Sequence, residues 1–375
     1  MQIPASSDAH QIWLASASQH GSGYWVKNTQ ASYRSLVLAE TEIGLAQSLP
    51  FQQPQSYVHC PRSAWIDYPL DESRRQLSGS WLRLARLAGY GISPALIQLL
   101  RSTGLLRAVI IDNYLVSTNL YPVHFAGQIA QISHKLSQTE SHPLLIRNIC
   151  GEVDQQLMAN LLDTGWLLIP SRLVYLCKTD DSKLKTHNHV RQDAKLLLPS
   201  RLQADQLEII DASQISKTDL PRLLELYKQL FLDKYSLLNP EFTLAFLEFS
   251  YFSGFLDLYA LRHQHHYLGV IGLYKRPGNN WITTPFLGYQ LQANQEFALY
   301  RRLMALLLQQ AQLTQLNLHY SSGAGQFKQM RGGQAALEYC AVYSAHLPMP
   351  TRLAISSWAG LLKKAVPFIL ARSKT

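Results

Sequence analysis

Cysteine is scarce in this chain of 375 residues. The four present, Cys60, Cys150, Cys177 and Cys340, stand far apart with no CxxC pair, which speaks against a disulfide scaffold and a cysteine-based zinc site. Each lies in or beside an apolar run, where a free thiol packs as a small hydrophobe, so a reduced cytoplasmic protein is expected. No stretch reaches the roughly 18 uninterrupted apolar residues of a membrane span. The opening MQIPASSDAHQIW has neither the basic start nor the apolar centre of a secretory leader. No transmembrane segment is therefore expected. Acidic residues are short too: 25 against 34 Lys and Arg, a formal charge of +9. That balance suits an anionic partner such as nucleic acid, a phosphate-bearing cofactor, an acidic carrier protein or a membrane face. A chain this long also carries such an excess without consequence. What is plentiful is apolar material, 47% of residues, enough at this length for two cores.

The second half has a legible order of elements. Apolar spacing predicts helices over 216–235 and 241–253, the second introduced by Asn239-Pro240 as a cap. Three strand-like runs follow at 257–263, 266–275 and 280–291, with Pro277-Gly278-Asn279-Asn280 as a hairpin loop. Next come an amphipathic helix over 296–312, a strand over 315–321, a short helix in GQFKQMRG and a closing strand over 337–347. The first half ends alike: strand 107–121, helix 125–138, strand 143–150, helix 152–165, strand 166–178. Strand, helix, strand, helix, strand thus occurs twice without residue identity, a repeat of elements. The polar stretch between the copies reads as a crossover.

One segment stands out. The strand Leu316–Tyr320 breaks into Ser321-Ser322-Gly323-Ala324-Gly325 and then becomes a short basic helix with Lys328 and Arg331 on one face. This break, followed by FK and RG before the last strand, resembles GNAT-like acyltransferases. In its tandem arrangement the chain is similar to the FemX-like peptidoglycan aminoacyl-transferases. The resemblance implies an α/β fold of two tandem GNAT-like domains, each a mixed, mostly antiparallel sheet flanked by helices. Residues 1–180 would form an N-terminal, degenerate domain and 181–205 a linker. Residues 206–350 would form the catalytic domain and 351–375 a basic amphipathic tail. The implied activity is N-acyl transfer: an acyl or aminoacyl group moves from an activated carrier (acyl-coenzyme A, acyl-carrier protein or aminoacyl-tRNA) to an amine acceptor. No tightly bound cofactor is implied, acyl-coenzyme A serving as co-substrate. One departure concerns the carrier. Family members place a glycine-rich loop before the third helix, whereas this chain has Leu291-Gln292-Ala293-Asn294-Gln295-Glu296. Asn294 is then the polar residue left to contact the cofactor at a helix start, and Glu296 opposes an anion there.

Acyl transfer needs a polarised carbonyl, a deprotonated amine and a reprotonated leaving group. His319 is the candidate base or substrate ligand, with Ser321 on the same strand face; a half-buried histidine and a turn-forming serine are the plain alternatives. Tyr289, at the end of the meander, is the candidate proton donor, and even spacing sets it on the face of Thr283. Lys328 and Arg331 suit a phosphate or carboxylate of the donor, or else a solvated face. Gly323 and Gly325 permit close approach of a ligand or of a packed helix. Tyr235, Asn239 and Tyr339 are candidates for the acceptor side. His263, His265 and His266 lack a completing carboxylate or cysteine, so no metal is expected. In the tail, Leu353, Ile355, Trp358, Leu361 and Leu362 form a helical stripe flanked by Lys363, Lys364, Arg372 and Lys374, with Pro367 as an interruption. Such a tail packs on the body as a closing helix or makes a peripheral contact with an anionic membrane. The rival to an enzyme is a non-catalytic GNAT-like scaffold or nucleic-acid-binding protein, for which the basic stretch 183–201 is the main support.

Overall fold

A computed structural model describes residues 9–38, 41–49, 55–76 and 80–372. Lys374 and the first eight residues lie outside the described residues, as does the side chain of Trp81. Eleven strands are present: β1 (Ala31–Leu38), β2 (Thr41–Ser48), β3 (Val109–Ile111), β4 (Leu144–Ile149), β5 (Leu167–Cys177), β6 (Leu207–Asp211), β7 (Asp257–His263), β8 (His266–Lys275), β9 (Trp281–Tyr289), β10 (Asn317–His319) and β11 (Gln334–Tyr343). They form one mixed sheet in the order β1-β2-β3-β4-β11-β5-β10-β9-β8-β7-β6, where one sheet per domain was expected. Among the registers described, β3–β4 and β9–β10 run parallel. The chain gathers into two compact units. The first holds Met1–Ile12, Val174–Leu237 and Glu241–Ala336; the second holds Trp13–Leu173, Leu238–Pro240 and Leu337–Thr375.

In the first unit the meander β7–β8–β9 stands where alternation and turn residues put it. β8 is buried from Tyr267 to Tyr274, as a central strand covered on both faces must be. Its core is closed by the helix Leu299–Leu313, whose Leu299, Leu303, Leu306 and Leu307 repeat at helical spacing on one buried face. The helix expected over 296–312 is in fact two: Asn294–Phe297, then a left-handed Ala298 (φ 50°), then Leu299–Leu313. Residues 216–235 become a helix Leu220–Lys228, with Pro221 in its first turn, followed by a wider π turn Gln229–Tyr235. The next helix, Leu244–Ser253, is capped by Thr243, whose hydroxyl accepts from Phe246 N–H at 3.2 Å. Asn239 is not its cap, because the chain from Asn239 to Glu241 has not yet turned helical. The stretch read as a crossover folds into helices Asn188–Lys195 and Pro199–Ala204, with Leu184 and Asp193 buried.

In the second unit the helices Val123–Thr139 and Gln155–Asp163 and the strands β4 and β5 match the periodic reading. The expected strand 107–121 shrinks to β3, after which 112–122 is buried loop. Asparagines replace the missing ladder: Asn119 Oδ1 accepts from Tyr114 N–H, Asn113 Oδ1 from Leu115 N–H, and Asn148 Oδ1 from Asn119 N–H. The C-terminal helix Met349–Arg372 runs through Pro367 without interruption. It packs through Ile355, Trp358 and Ala359, with Trp358 edge-on to Trp65 at 4.8 Å, and leaves Leu353 and Leu361 exposed. No helix among the described residues is long and apolar enough to cross a membrane.

Candidate functional site

The parallel pair β9–β10 is short. It holds only from Asn317↔Trp281 to His319↔Thr283, and β9 then continues to Tyr289 without β10. β10 instead turns toward β5, where Tyr320 N–H donates to the Tyr175 carbonyl and Tyr175 N–H to the Ser321 carbonyl. A parallel pair that parts in this way leaves one strand edge unpaired on the side of the gap. A bulge opens the gap: two residues of β9, Thr284 and Pro285, oppose one of β8. Thr284 Oγ1 closes it by donating to the carbonyls of Gly272 and Phe286. Beyond the bulge Gln290 N–H donates to Leu268 O, so alternate residues bond to β8. The N–H groups of Leu287 and Tyr289 therefore point toward the gap, and Pro285 brings none.

The bulge also changes which side chains share a face. Ile282, Leu287 and Tyr289 all join the core under the helix Leu299–Leu313. Phe286 and Gly288 face the other way: Phe286 stacks on Tyr227 at 4.8 Å, and a Cβ on Gly288 would stand 2.4 Å from the Leu226 carbonyl carbon. Thr283, one residue from Ile282 and before the bulge, lies on that second face. The expected shared face of Thr283 and Tyr289 is thus corrected, because the extra residue reverses the alternation between them. In-register neighbours bring Tyr274 of β8 and His319 of β10 beside Thr283, giving a polar row across three strands. All three are at most 1% exposed. Tyr274 is bonded to His10 Nε2 at 3.2 Å, whereas the Thr283 hydroxyl has no partner among the described residues. A buried hydroxyl without a protein partner is costly, and Thr283 Oγ1 is therefore a candidate donor to a bound group.

His319 Nδ1 accepts from Ser321 N–H at 3.0 Å. With Nδ1 so used, the neutral ring carries its proton on Nε2 and acts there as a donor. Ser321 adopts φ 59°, and Gly323 and Ala324 follow with φ 78° and 47°. Three positive values in four residues make a strained turn, and Lys328 holds it. Its ammonium donates to the carbonyls of Tyr320 (2.7 Å), Ser322 (2.6 Å) and Ser321 (3.4 Å) from a side chain that is 5% exposed. Arg331, 6% exposed, lies over the Phe327 ring and donates to Asp193 Oδ2 at 2.5 Å and to the Phe327 carbonyl. Asp193 also receives Arg301. Both cations are engaged by groups of the protein itself. A Cβ on Gly325 would stand 2.1 Å from the Tyr175 hydroxyl, so this glycine serves close packing. Asn294 Oδ1 accepts from Tyr300 N–H at 2.8 Å and occupies one donor at the start of the following helix.

Tyr289 lies with Tyr300, their rings 6.0 Å apart, on the face opposite His319. Burial, aided by the Tyr235 phenol, pushes the Tyr289 phenol up to about 12. Burial raises Tyr235 as well, though it is 43% exposed. A cleft of about 340 Å³ opens beside these residues, lined by Arg222, Gln229, Asp233, Lys234 and Gln290–Gln292. Asn239 and Tyr339 belong to the second unit. There the Asn239 carbonyl accepts from Asn28 Nδ2 at 2.8 Å, and Tyr339 packs on the strand core. The polar row was missed in part: Tyr274 carries no motif, and its place beside Thr283 follows only from register.

No family model matches the chain, and no curated protein does. Among solved structures it is similar to L-PGS from Bacillus licheniformis, with 11% identity over 88% of this chain and 89% of that one (TM-score 0.49). It is similar to FemX at 8% identity over 85% and 89% (TM-score 0.47). A GCN5-related N-acetyltransferase from Kribbella flavida shares 10% identity over 90% and 96% (TM-score 0.34). The likenesses are distant. The GNAT-like, FemX-like fold read from the sequence stands on the element order of the first unit and on the parting of β9 from β10.

Proposed function

We propose that the first unit is an acyl-transfer site, in which an acyl or aminoacyl group passes from an activated carrier to an amine at the gap between β9 and β10. The observation that carries this reading is the buried, unpartnered Thr283 hydroxyl at the last rung of the parallel pair, beside His319. Acyl transfer to an amine develops negative charge on the carbonyl oxygen, and donors already aimed at that oxygen stabilise it without reorganising. Thr283 Oγ1 is such a donor, with His319 beside it on the neighbouring strand. The N–H groups of Leu287 and Tyr289 hold the carrier arm along the open edge of β9. The Tyr289 phenol, kept protonated by burial, gives its proton to the leaving group of the carrier and regains one from the amine as the amide forms. Orientation of two substrates then provides much of the remaining rate, with no covalent intermediate.

The groups around the helix start favour a carrier that needs no pyrophosphate clamp. The loop 290–295 has no glycine, Asn294 occupies the Tyr300 N–H, and Lys328 and Arg331 are turned to protein partners. Aminoacyl-tRNA or an acyl-carrier protein fits these facts better than acyl-coenzyme A. The test is a donor screen: purified protein with labelled aminoacyl-tRNA, acyl-carrier protein or acetyl-coenzyme A and a primary amine, measured for amide formation. Amide from a macromolecular donor is expected. Amide from acetyl-coenzyme A alone would overturn the choice of carrier, and no amide from any donor would overturn the reading itself.

A further inference from the structure

The second unit buries a cation that forms an ion pair with no carboxylate among the described residues. Arg147, near the end of β4, is 7% exposed. Its Nη1 donates to the Val58 carbonyl at 2.5 Å, a carbonyl that also accepts from Asn113 Nδ2. Among the described residues no carboxylate forms an ion pair with it. The nearby Arg172 is different: its Nε donates to Glu338 Oε1 at 2.8 Å, and its Nη2 to the Ser117 carbonyl and Thr118 Oγ1. Glu338, 1% exposed, also accepts from Asn148 Nδ2 at 3.0 Å. Glu338 is thus committed to Arg172, and Asp112, also buried in this unit, forms no ion pair with Arg147. Burial lowers the proton affinity of Arg147 more than the charge of Glu338 raises it, although an arginine stays charged regardless.

Tyr57 and His59 flank Val58, which holds Arg147, and Tyr68 lies against Tyr57. The rings of Tyr57 and Tyr68 lie 4.4 Å apart and are half-buried, and among the described residues no group bonds either phenol. Burial raises both phenols, so they remain hydrogen-bond donors at neutral pH. The Tyr57 phenol lies within the field of Arg172 and Arg147 and also of the Glu338 and Glu72 carboxylates. His59, 1% exposed, shares a hydrogen bond with Ser48 Oγ through Nε2 at 2.8 Å, while its Nδ1 has no partner. The backbone is unusual at this place as well. Asn148, next to Arg147, has φ 57°, and the pairing of β4 with β11 is irregular between Tyr339 and Ala341. A buried unpaired charge is strongly destabilising, and structures retain one where something else brings the opposite charge.

We propose that Arg147, with the Tyr57 and Tyr68 phenols and the His59 ring, binds a single oxyanion, a carboxylate or a phosphodiester, carried by a small organic ligand. A guanidinium with no ion-pair partner among the described residues suits one negative charge. The planar guanidinium offers paired N–H groups to two oxygens, and the phenols donate to the same oxygens. The two tyrosine rings, tilted at 46° to each other, give the organic part of the ligand an apolar wall. This site lies wholly within the second unit and does not rest on the acyl-transfer reading.

The experiment is thermal unfolding of the full-length protein in rising sodium acetate or sodium dimethyl phosphate, with chloride keeping ionic strength constant. A saturable rise in midpoint is expected with at least one of the two anions, and the one that acts names the source. Arg147→Met should lower the apparent affinity at least tenfold, while its midpoint in chloride alone is equal to or above that of the wild type. Tyr57→Phe should weaken the response several-fold with an unchanged midpoint in chloride. No saturable response from the wild type to either anion overturns the proposal. So does an undiminished response in Arg147→Met or, should that variant not fold, in Tyr57→Phe.

Discussion

Lys328 holds its turn in a way that a hydrophobic side chain of the same length cannot. Three consecutive carbonyls, from Tyr320 to Ser322, converge on one ammonium, and the strained backbone of Ser321 and Ala324 is fixed by that convergence. Lys328→Met keeps the stem and removes the charge, leaving carbonyls in a largely buried turn without a donor. The expected cost is about 2–3 kcal/mol, read as a lower urea midpoint at unchanged slope; a change below about 0.5 kcal/mol would show the ammonium to be dispensable. The spacing of the residues around this turn carries no sign of where their side chains point. Lys328 and Arg331 share a helix face in any reading; only packing reveals that this face is inward. Arg331 is drawn in by Asp193, which lies in a stretch that reads as polar crossover.

At the scale of elements, the seam between β9 and the helix Leu220–Lys228 decides how the gap is shaped. A Cβ on Gly288 would stand 2.4 Å from Tyr227 N and 2.6 Å from the Leu226 carbonyl oxygen, both backbone atoms with no rotamer to yield. Gly288→Ala should therefore destabilise the protein by about 1–3 kcal/mol and shift the strand edge that carries Leu287 and Tyr289. A thermal midpoint equal to that of wild type would show that the helix backs away freely. The meander was legible because turn residues bracket three apolar runs of strand length. The bulge at Thr284–Pro285 was not, since it arises from one extra residue whose neighbours alternate normally on either side. Ala298 and the loop 112–122 were hidden for a related reason: a left-handed alanine and a run of apolar residues held by asparagine side chains look, as strings, like helix and strand.

For the molecule as a whole, stability should depend on acid through a histidine far from the gap in sequence. Burial, with the charge of Arg147 adding, lowers the His59 pKa to about 3 from the ordinary 6.5. The unfolded chain therefore takes up a proton near pH 6.5 that the folded chain refuses until about pH 3. Stability is highest above that window and falls as pH drops through it, by up to about 1.4 kcal/mol per pH unit from this one group. Urea titrations from pH 7 downward should show the fall, and His59→Gln should flatten it; a wild-type slope retained in the variant would assign the effect to other groups. At this scale the α/β class and the paired order of elements were readable from periodicity. The single eleven-stranded sheet was not, because the place of β11 between β4 and β5 depends on partners remote in sequence.

The acyl-transfer reading depends most on the Thr283 hydroxyl, and Thr283→Val tests it with almost no change of shape. The variant removes one buried, unpartnered hydroxyl, so its thermal midpoint should equal or exceed that of the wild type. With the donor that forms amide in the screen, its single-turnover rate should fall by about tenfold or more, the scale of losing one donor to a developing oxyanion. A folded variant that transfers at the wild-type rate would contradict the placing of the reaction between β9 and β10.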